Sequence, residues 1–520
     1  MPRYRNQITF EIARNLKAFL RLDAGLTRGE TPDPERQLHR AEARIKQQAR
    51  RIEQLRQISG GEQKEPLGHK DHPLKESSGA ASVERPGPLK IVHVSTQDAM
   101  GGAARAAQRL HHGLLRLGHD SSMFVARRHG DDPSVRVFEP SQDAESVARR
   151  ERRGAMIEDD FSRYEESRPE VYRIGDSFND DRSPFGGGPL EQLPPCDVVN
   201  LHVISGFIDH QAFFGSVPGH TPVVWTLHDM NSFTGGCHYD YGCGKHAESC
   251  GACPQLGSDD EEDLSRQSWR RKREVYSQVA KDRLHVVGAS RWLADEARRS
   301  SLFDGFPVTT IPYSLDTQAF APRDHGQARA TLGVPEDARV ALFLTDSLVT
   351  RRKGFALLAE ALNGIKDVPN LRLLSLGYND PSLLKNPPIV ESIPHQHFDF
   401  LDDDLLLSSI YSAADLFVIP SLQENLPQTA LEAMSCGTPV VGFDVGGIPD
   451  LVRPGVTGEL APVGDAEALG SVIRDLLKDP EKLAALSDNC RRVVIEEYNH
   501  DLQAGRYADL YRALLKARAG

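Results

Sequence analysis

The sequence predicts an α/β protein in which two Rossmann-like domains face each other across a central cleft. Two separate series of short apolar strands alternate with helix-like segments, which is the pattern of parallel sheets joined by right-handed crossovers. The first series begins at 89–94, and the second begins after Ile311 and Pro312. A chain of 520 residues has room for more than one domain with its own core, and ligands commonly bind between such domains.

Changes in composition divide the chain into segments. A run of Gly, Ser, Lys, Glu and Pro at 59–88 contains almost no apolar residues, so it predicts a flexible linker. The first Rossmann-like domain is predicted over 89–312 and the second over 313–495, with a C-terminal helix within 496–520. A polar, charge-mixed stretch at 143–195 interrupts the first domain, and we interpret it as an insertion or lid.

Residues 1–58 are expected to form a basic helical extension. The first predicted helix has a basic face and an apolar face, which suits either a membrane interface or packing on another helix. The second repeats Leu38, Ile45 and Ile52 every seven residues. That spacing is typical of a short coiled coil, which would join two copies of the chain; a solvated basic helix is the alternative. The apolar face of the first helix comprises Ile8, Ile12, Leu16, Phe19 and Leu20.

Composition limits the class of protein. Apolar residues make up 39% of the chain and the mean hydropathy is −0.44, and no run approaches the ~18 apolar residues of a membrane-spanning helix. Arg14, Lys17 and Arg21 interrupt the apolar residues near the amino terminus, unlike a signal peptide. We therefore expect a cytoplasmic protein, peripheral to the inner face of the membrane if the first helix binds lipid. A net charge of −12 argues against a nucleic-acid partner.

The segment 420–447 carries the most specific signal in the chain. Its sequence, PSLQENLPQTALEAMSCGTPVVGFDVGG, runs from the end of a buried strand through a helix into another apolar strand. Glu424 falls at the carboxyl end of the first strand, and Glu432 about two turns inside the helix. In an open α/β sheet that edge forms the ligand-binding crevice. An ionised carboxylate only accepts hydrogen bonds, and its two oxygens suit the vicinal hydroxyls of a sugar.

This pattern of strand, Glu-Asn-Leu-Pro, helix and strand resembles the E-x7-E signature of retaining glycosyltransferases with the GT-B fold, specifically family four, the glycosyl transferases group 1. The resemblance implies that Glu432 binds both ribose hydroxyls of a nucleotide sugar. It also implies that Glu424 and the backbone amides of Asn425 and Leu426 hold hydroxyls of the donor sugar. Enzymes of this fold class need no catalytic metal, and the final helix crosses back onto the first domain; we expect both features here.

A glycine pair, Gly101 and Gly102, follows the first strand and opens a helix. Small residues let a ligand approach the backbone, and the free N–H groups of a helix N-terminus suit a diphosphate or an acceptor oxygen. The motif is not the GxGxxG dinucleotide fingerprint, so NAD is not predicted. A glycine pair that serves only a tight turn is the alternative.

Three cations, Arg351, Arg352 and Lys353, follow the first strand of the second domain. Fixed cations at this edge would stabilise the charge that develops on a departing nucleoside diphosphate. The resemblance identifies Lys353 with the phosphate-binding lysine of the family. The arginine that the family has nearer the strand is Ser347 here, so either Arg351 or Arg352 is expected to take its role. A solvated basic turn is the alternative.

Strand ends of the first domain supply further candidates. His228 ends the strand PVVWTL, and the resemblance identifies it with the cleft histidine that touches the donor sugar. His202 ends the neighbouring strand and is a weaker candidate for the acceptor side. Ser290 and Arg291 open the helix after HVVGAS and are expected to face the acceptor, although Ser290 also suits a plain N-cap.

A cysteine cluster follows His228 closely. Cys237, Cys243, Cys250 and Cys253 have the spacing C-x5-C-x6-C-x2-C. In a reducing cytosol such a cluster more often binds zinc than forms disulfides. Only the last pair has a standard zinc-finger spacing, so disulfides or free thiols are the alternatives. We expect zinc here to order a loop beside the cleft, with no part in the chemistry.

The resemblance implies the transfer of a sugar from a nucleoside-diphosphate sugar, of the UDP or GDP type, to a hydroxyl acceptor with retention. The segments GGAARAA and TGGCHY…CGACPQLGS also resemble transferases of bacterial exopolysaccharide and lipopolysaccharide assembly, which implies a carbohydrate or lipid-linked acceptor. Two alternatives are a GT-B epimerase or hydrolase that turns over without an acceptor, and a non-catalytic protein that only binds a nucleotide sugar.

Overall fold

Two parallel β-sheets with helices in the connections form the described part of the chain. The computed structural model describes residues 87–380, 383–384, 387–399, 401 and 403–519. The predicted extension and nearly all of the predicted linker lie outside these residues. The predicted class, an α/β protein of two Rossmann-like domains that meet at a central cleft, is confirmed.

The first domain is built on a sheet of seven parallel strands. The strands are β1 (Lys90–Gln97), β2 (Asp120–Arg127), β3 (Val135–Val137), β4 (Val198–Leu201), β5 (Val223–Leu227), β6 (Leu284–Gly288) and β7 (Val308–Thr310). Their order across the sheet is β3-β2-β1-β4-β5-β6-β7. The order changes direction between β1 and β4, and ligands of open α/β sheets bind beside such a point, at the carboxyl ends of the strands.

The second domain has a sheet of six parallel strands. The strands are β8 (Arg339–Ser347), β9 (Leu371–Tyr378), β10 (His395–Phe398), β11 (Leu416–Ile419), β12 (Val440–Phe443) and β13 (Gly458–Ala461). Their order is β10-β9-β8-β11-β12-β13. The direction changes between β8 and β11, so the cations that follow β8 and the glutamate that follows β11 share one edge of the sheet.

The helices mostly begin at a side chain that accepts a hydrogen bond from a free amide of the first turn. Such N-caps are Asp143, Asp209, Asp263, Ser290, Asp324, Asp403, Asp465 and Asp479. The helices are α1 (Gly102–Arg116), α2 (Ala144–Ser162), α3 (Glu170–Arg173), α4 (Gly188–Glu191), α5 (His210–Ser216), α6 (Leu264–Ser277), α7 (Arg291–Arg299), α8 (His325–Leu332), α9 (Phe355–Gly364), α10 (Asp404–Ala413), α11 (Gln428–Ser435), α12 (Ile448–Leu451), α13 (Ala466–Leu477), α14 (Pro480–Glu497) and α15 (His500–Ala519). No described helix is long and apolar enough to cross a lipid bilayer.

Each sheet packs against its own apolar core, and the central strands are buried on both faces, as a parallel sheet requires. The last helix, α15, packs on the core of the first domain. Its Tyr507 and Tyr511 are fully buried beside Leu110 and Leu114 of α1. The Tyr511 hydroxyl also accepts a hydrogen bond from Asn200 Nδ2 at 2.8 Å. The end of the chain thus ties the second domain back to the first.

The segment between β3 and β4, which contains the predicted insertion, reaches the second domain at Gly175. A Cβ added there would meet Thr350 Oγ1 at 2.1 Å, and Gly175 has a φ of 78°, so both the space and the backbone favour glycine. The next residue, Asp176, accepts a hydrogen bond from the Tyr241 hydroxyl at 2.6 Å and lies 3.9 Å from Arg352 Nε. This segment therefore packs against the turn that carries the three cations, and its role as an insertion or lid stays a prediction.

Candidate functional site

The candidate site lies where the carboxyl ends of β5 and β11 meet across the cleft. Asn425 Nδ2 donates to the carbonyl oxygen of His228 at 3.1 Å, and Asn425 Oδ1 accepts from Ser290 Oγ at 2.7 Å. Gly447 packs on the same residue, since a Cβ added at Gly447 would lie 1.8 Å from the carbonyl oxygen of Asn425. The Glu-Asn-Leu-Pro segment therefore connects the two domains directly.

Glu424 is the centre of a buried cluster of charged and polar groups. Its Oε2 accepts hydrogen bonds from Lys353 Nζ at 2.8 Å and from Arg352 Nη1 at 3.0 Å. Its Oε1 accepts from the Tyr239 hydroxyl and from the amide of Asn425, both at 3.2 Å. The residue is only 8% exposed, so these four donors replace the water that an ionised carboxylate would otherwise bind.

The electrostatics keep this carboxylate charged. Burial alone would raise the pKa of Glu424, but the charges of Lys353 and Arg352 outweigh burial and lower the pKa to about 2. Burial would likewise raise the pKa of Asp346, and Lys353 lowers it instead. Asp176 differs, because burial dominates and raises its pKa. A phosphate that approached these cations would compete with carboxylates that already bind them.

The three predicted cations have different surroundings, although they share one short 3₁₀ turn, Arg351–Lys353. The Arg352 guanidinium is buried, lies 4.0 Å from the centre of the Tyr239 ring and donates to the carbonyl oxygen of Gln423 at 2.9 Å. Arg351 is exposed, and its guanidinium lies 5.9 Å from the Tyr241 ring. The structure therefore brings Arg352 and Lys353 to Glu424, while Arg351 stays at the rim.

Glu432 lies in the second turn of α11 and is engaged from the first domain. Its Oε1 accepts from Arg109 Nη2 at 2.7 Å, and its Oε2 accepts from the Tyr411 hydroxyl at 3.0 Å. Arg109 also donates to Gln428 Oε1 at 2.6 Å. Both oxygens of the carboxylate are thus in use, although each can still accept a further hydrogen bond. That Glu432 binds ribose hydroxyls stays a prediction.

The glycine pair lies at the N-terminus of α1, opposite the start of α11. Gly101 is the N-cap with a φ of 86°, and the carbonyl oxygen of Gly102 accepts a hydrogen bond from the Gln428 side chain. A Cβ added at Gly102 would lie 3.4 Å from Gln428 Nε2. The pair therefore brings α1 close to the helix that carries Glu432, and a diphosphate contact there stays a prediction.

His228 is the last of three histidines that are hydrogen-bonded in a row. The distances are 2.9 Å between His93 Nδ1 and His202 Nε2, and 2.9 Å between His202 Nδ1 and His228 Nε2. His228 Nδ1 lies 2.7 Å from the Tyr313 hydroxyl. Burial lowers the pKa of His228 to about 4 and those of the other two well below the usual range. The rings are therefore neutral at pH 7, and both nitrogens of His228 are occupied.

The residues predicted on the acceptor side contact the second domain. Ser290 caps α7 through a bond from the amide of Leu293 while its hydroxyl donates to Asn425. Arg291 pairs with Asp450 through its amide and its Nε, both at 2.7 Å. Leu426 is buried and holds the segment after Glu424 in the core. An acceptor contact of Ser290 or Arg291 stays a prediction.

The four clustered cysteines line one cavity of about 20 Å³ in the connection between β5 and α6, none of them is paired in a disulfide, and zinc binding by them stays a prediction. Within the described ranges, a single trio of metal-binding side chains has its donor atoms within 4.8 Å of one another, namely His111, His112 and Asp132. That trio is satisfied without an ion, because His112 Nε2 lies 2.6 Å from Asp132 Oδ2 and both His111 nitrogens bond serine hydroxyls.

Sequence reasoning missed the residues that reach the two glutamates from the first domain. Tyr239 lies two positions after Cys237, and Arg109 lies about two turns into α1. For Arg109 the sequence offered one signal, because Arg105 and Arg109 are four residues apart and therefore share a helix face. In the structure Arg105 pairs with Asp404 at 2.5 Å. Their targets depend on how the domains close, which no local pattern encodes.

Comparison with known proteins agrees with this architecture. Residues 325–493 match the family model of glycosyl transferases group 1. D-inositol 3-phosphate glycosyltransferase 1 of Catenulispora acidiphila is 34% identical over 238 residues, which are 40% of this chain and 54% of that protein. A D-inositol 3-phosphate glycosyltransferase of Thermobispora bispora is 32% identical over 221 residues, 40% of this chain and 51% of that protein. The chain spans about half the length of the curated relatives it matches.

Solved structures share the fold across both domains. Sucrose-phosphate synthase from Thermosynechococcus elongatus superimposes with a TM-score of 0.56 and 21% identity, covering 82% of this chain and 100% of that one. HepE of Anabaena in complex with UDP and glucose gives a TM-score of 0.53 at 16% identity, with coverage of 82% and 100%. WaaG, a glycosyltransferase involved in lipopolysaccharide biosynthesis, gives 0.53 at 16% identity, with coverage of 81% and 99%.

At these identities the solved structures establish the fold, and the family model matches most of the second domain. The strand ends that carry the cations and the two glutamates lie within the matched residues 325–493. The protein therefore has the GT-B fold, and residues 325–493 of its second domain match the family model of glycosyl transferases group 1.

Proposed function

We propose that this protein is a retaining glycosyltransferase that moves a sugar from a nucleoside-diphosphate sugar to a hydroxyl group of an acceptor. The observation that carries the proposal is the convergence of Lys353 and Arg352 on Glu424 at the carboxyl ends of β8 and β11. That edge is the ligand-binding edge of an open α/β sheet. The group 1 match of the same domain supports this choice over other ligands of the fold.

The cation pair suits the leaving group. As the bond to the sugar breaks, negative charge grows on the departing diphosphate, so cations that are already fixed favour the transition state over the ground state. Arg352 is held between the Tyr239 ring and the Gln423 carbonyl, which leaves it little freedom to reorganise. In this proposal Lys353 and Arg352 turn part of their hydrogen bonding from Glu424 to the phosphate.

The two glutamates suit the hydroxyl groups of the donor. Glu424 is ionised at neutral pH, because its pKa is about 2, and it accepts bonds from sugar hydroxyls together with the amides that follow it. Glu432 accepts bonds from the ribose hydroxyls, either beside Arg109 or after Arg109 has moved away. The donor base is of the UDP or GDP type in this proposal, and no metal ion takes part in the chemistry.

His228 is a poor general base in this arrangement. The ring is neutral, its nitrogens bond His202 and Tyr313, and burial lowers its pKa to about 4. The acceptor proton is therefore expected to leave with the phosphate oxygen in a front-face substitution, in which the acceptor attacks from the side of the departing group. Retention of configuration at the anomeric carbon follows from that geometry.

The proposal also includes the class of acceptor and the biological role. The curated relatives are named for D-inositol 3-phosphate, a compound that bears hydroxyl groups, and this supports a hydroxyl acceptor here. We propose a carbohydrate or lipid-linked acceptor in the assembly of a cell-surface polysaccharide or glycolipid, on the cytoplasmic side of the membrane. The basic helices predicted at 1–58 would then provide the membrane contact or join two copies of the chain.

The experiment is an assay of nucleoside-diphosphate release from UDP- and GDP-sugars, with and without a panel of hydroxyl acceptors. We expect release that depends on an acceptor, and a product whose anomeric configuration by NMR matches that of the donor. Lys353→Met should abolish release, whereas exposed Lys366→Met, in the same domain, should leave it unchanged. Release without any acceptor indicates a hydrolase or epimerase, and an inverted product refutes retention.

A further inference from the structure

The four cysteines at 237–253 surround a common space. Cys237, Cys243, Cys250 and Cys253 all line one cavity of about 20 Å³, which is room for one particle of the size of a water molecule. Four of the seven cysteines of the chain thus face one small volume. Cys250 and Cys253 are buried, Cys237 is half-buried and Cys243 is exposed, so the volume can be reached from one side.

The loop that bears these cysteines has little regular structure. Between 234 and 263 it contains a single 3₁₀ turn, Lys245–Ala247, among the described elements. Tyr241 and Ala252 have φ values of 51° and 40°, in the left-handed region that residues other than glycine avoid. Such conformations persist where the surroundings impose them, and irregular loops of this length in compact domains are usually either functional or disordered.

Donors and a cation are already arranged around the sulfurs. The amide of Gly235 donates to Cys250 Sγ at 3.1 Å, and the amides of Gln255 and Leu256 face the Cys253 sulfur. The Lys272 ammonium is fully buried against this loop and donates to the carbonyl oxygens of Asn231 at 2.6 Å and Thr234 at 3.0 Å. These donors and the ammonium would stabilise a thiolate once a metal ion had displaced the thiol proton, whereas without an ion burial raises the pKa of Cys250 to about 12 and that of Cys253 to about 11.

We propose that Cys237, Cys243, Cys250 and Cys253 bind one structural zinc ion. Zinc prefers four ligands in a tetrahedron, and a set of four thiolates is a closed, non-catalytic site. No three of the four sulfurs lie within 4.8 Å of one another in the described structure, whereas Zn–S bonds of about 2.3 Å bring thiolates closer than that. Binding therefore draws the side chains inward, and the four thiol protons are released to solvent.

The site acts on the cleft through the residues between its ligands. Tyr239 donates to Glu424 Oε1 and supports Arg352 through its ring. Asp240 Oδ1 accepts from Gln423 Nε2 at 2.8 Å, and the amide of Tyr241 donates to Gln423 Oε1 at 2.8 Å. Zinc would thus fix the first-domain loop that holds the start of the Glu-Asn-Leu-Pro segment. This positioning role rests on the proposed function, whereas zinc binding itself does not.

The test begins with metal content. The full chain, purified without chelator and without a metal-affinity step, is expected to contain one zinc ion per chain by mass spectrometry of the elements. Cys250→Ser and Cys253→Ser should each lose most of the zinc, and Cys196→Ser, which lies outside the cluster, should keep it. Four titratable thiols without metal, a disulfide found by peptide mass spectrometry, or iron in place of zinc would each overturn the proposal.

A second variant separates metal binding from positioning. Tyr239→Phe removes the hydroxyl that bonds Glu424 and keeps the ring under Arg352, so it should retain a full complement of zinc. If the proposed transfer reaction is found, this variant should lower kcat by three- to tenfold with little change in KM. Full zinc content with unchanged kcat would refute the positioning role alone. Zinc content is measured without substrate, so its outcome does not depend on the proposed function.

Discussion

Replacing Glu424 by glutamine should change the stability of the protein in a way that depends on pH. The pKa of Glu424 falls from the ordinary 4.5 to about 2, a difference of about 2.5 pKa units or about 3 kcal/mol. Because the folded pKa lies below the unfolded value, this contribution is complete above pH 4.5. It is lost as the pH falls through 2, and about 2 kcal/mol should remain at pH 3.5.

The assay is urea unfolding of wild type and Glu424→Gln, followed by tryptophan fluorescence at pH 7, 4.5 and 3.5. We expect the variant to be less stable at pH 7, with a difference in unfolding free energy that narrows by about 1 kcal/mol at pH 3.5. The acid response of carboxylates remote from Glu424 is common to both proteins and cancels in the difference, whereas the pKa of Asp346 falls further in the variant because a like charge is removed. Glu360→Gln, an exposed glutamate of α9, should stay within about 0.5 kcal/mol of wild type at each pH.

A gap that is the same at pH 7 and at pH 3.5 would refute the reasoning. In that case the loss in Glu424→Gln would come from shape or from neutral hydrogen bonds, and not from an ionised carboxylate between two cations. Glu424 would then be protonated or already neutralised in the folded protein. The account of Lys353 and Arg352 as cations prepared for a diphosphate would lose its electrostatic basis.

Three further changes test other contacts of the site. Lys353→Met should weaken binding of a nucleoside diphosphate by at least tenfold in calorimetry while binding of the nucleoside is unchanged; equal losses for both ligands would contradict a phosphate role. Arg109→Met removes the 2.7 Å ion pair with Glu432 and should enlarge the radius of gyration measured by small-angle X-ray scattering without ligand; an unchanged radius would show that other contacts hold the cleft closed. Gly447→Ala places a Cβ 1.8 Å from the Asn425 carbonyl oxygen, so it should abolish nucleotide binding and lower the melting temperature. The control Gly215→Ala, whose added Cβ meets no atom within 4 Å, should change neither.

The strands of the fold were predictable where they are long or fully buried. Runs such as PVVWTL and RVALFLTD are continuous apolar segments, and a parallel sheet buried on both faces demands such runs. The short edge strands escaped prediction, because they have three or four residues and little burial. Val135–Val137 is one example, with two of its three residues exposed, and His395–Phe398 has no fully buried residue.

The site was predictable only within each domain. Glu424, Arg352 and Lys353 follow strands, and the carboxyl ends of neighbouring parallel strands share one edge, so their proximity follows from the order of strands. The sequence did not distinguish Arg351 from Arg352, because both lie in the same turn. Only the packing of Arg352 against the Tyr239 ring buries it. Tyr239 and Arg109 bind their glutamates across the cleft, and such contacts depend on the docking of two domains rather than on local pattern.

The sequence also did not predict that both carboxylate oxygens of Glu432 accept hydrogen bonds within the protein. The motif indicates a carboxylate for ribose hydroxyls, yet Arg109 and Tyr411 bond both of its oxygens in the structure. An arginine on α1 pairs with that carboxylate because the glycine pair lets α1 approach the start of α11. The same closeness that suits a ligand between the domains also lets the domains bind each other directly.

The central claim, a nucleotide-sugar site at Glu432 and Glu424, is tested most directly by a thermal-shift panel of UDP, GDP, ADP, CMP and their common sugars. A ligand that binds only the folded state raises the melting temperature by mass action. We predict a clear rise for one nucleoside diphosphate in wild type and in Glu360→Ala, and its loss in Glu432→Ala. No rise with any nucleotide, or a rise that Glu432→Ala leaves intact, would contradict the account.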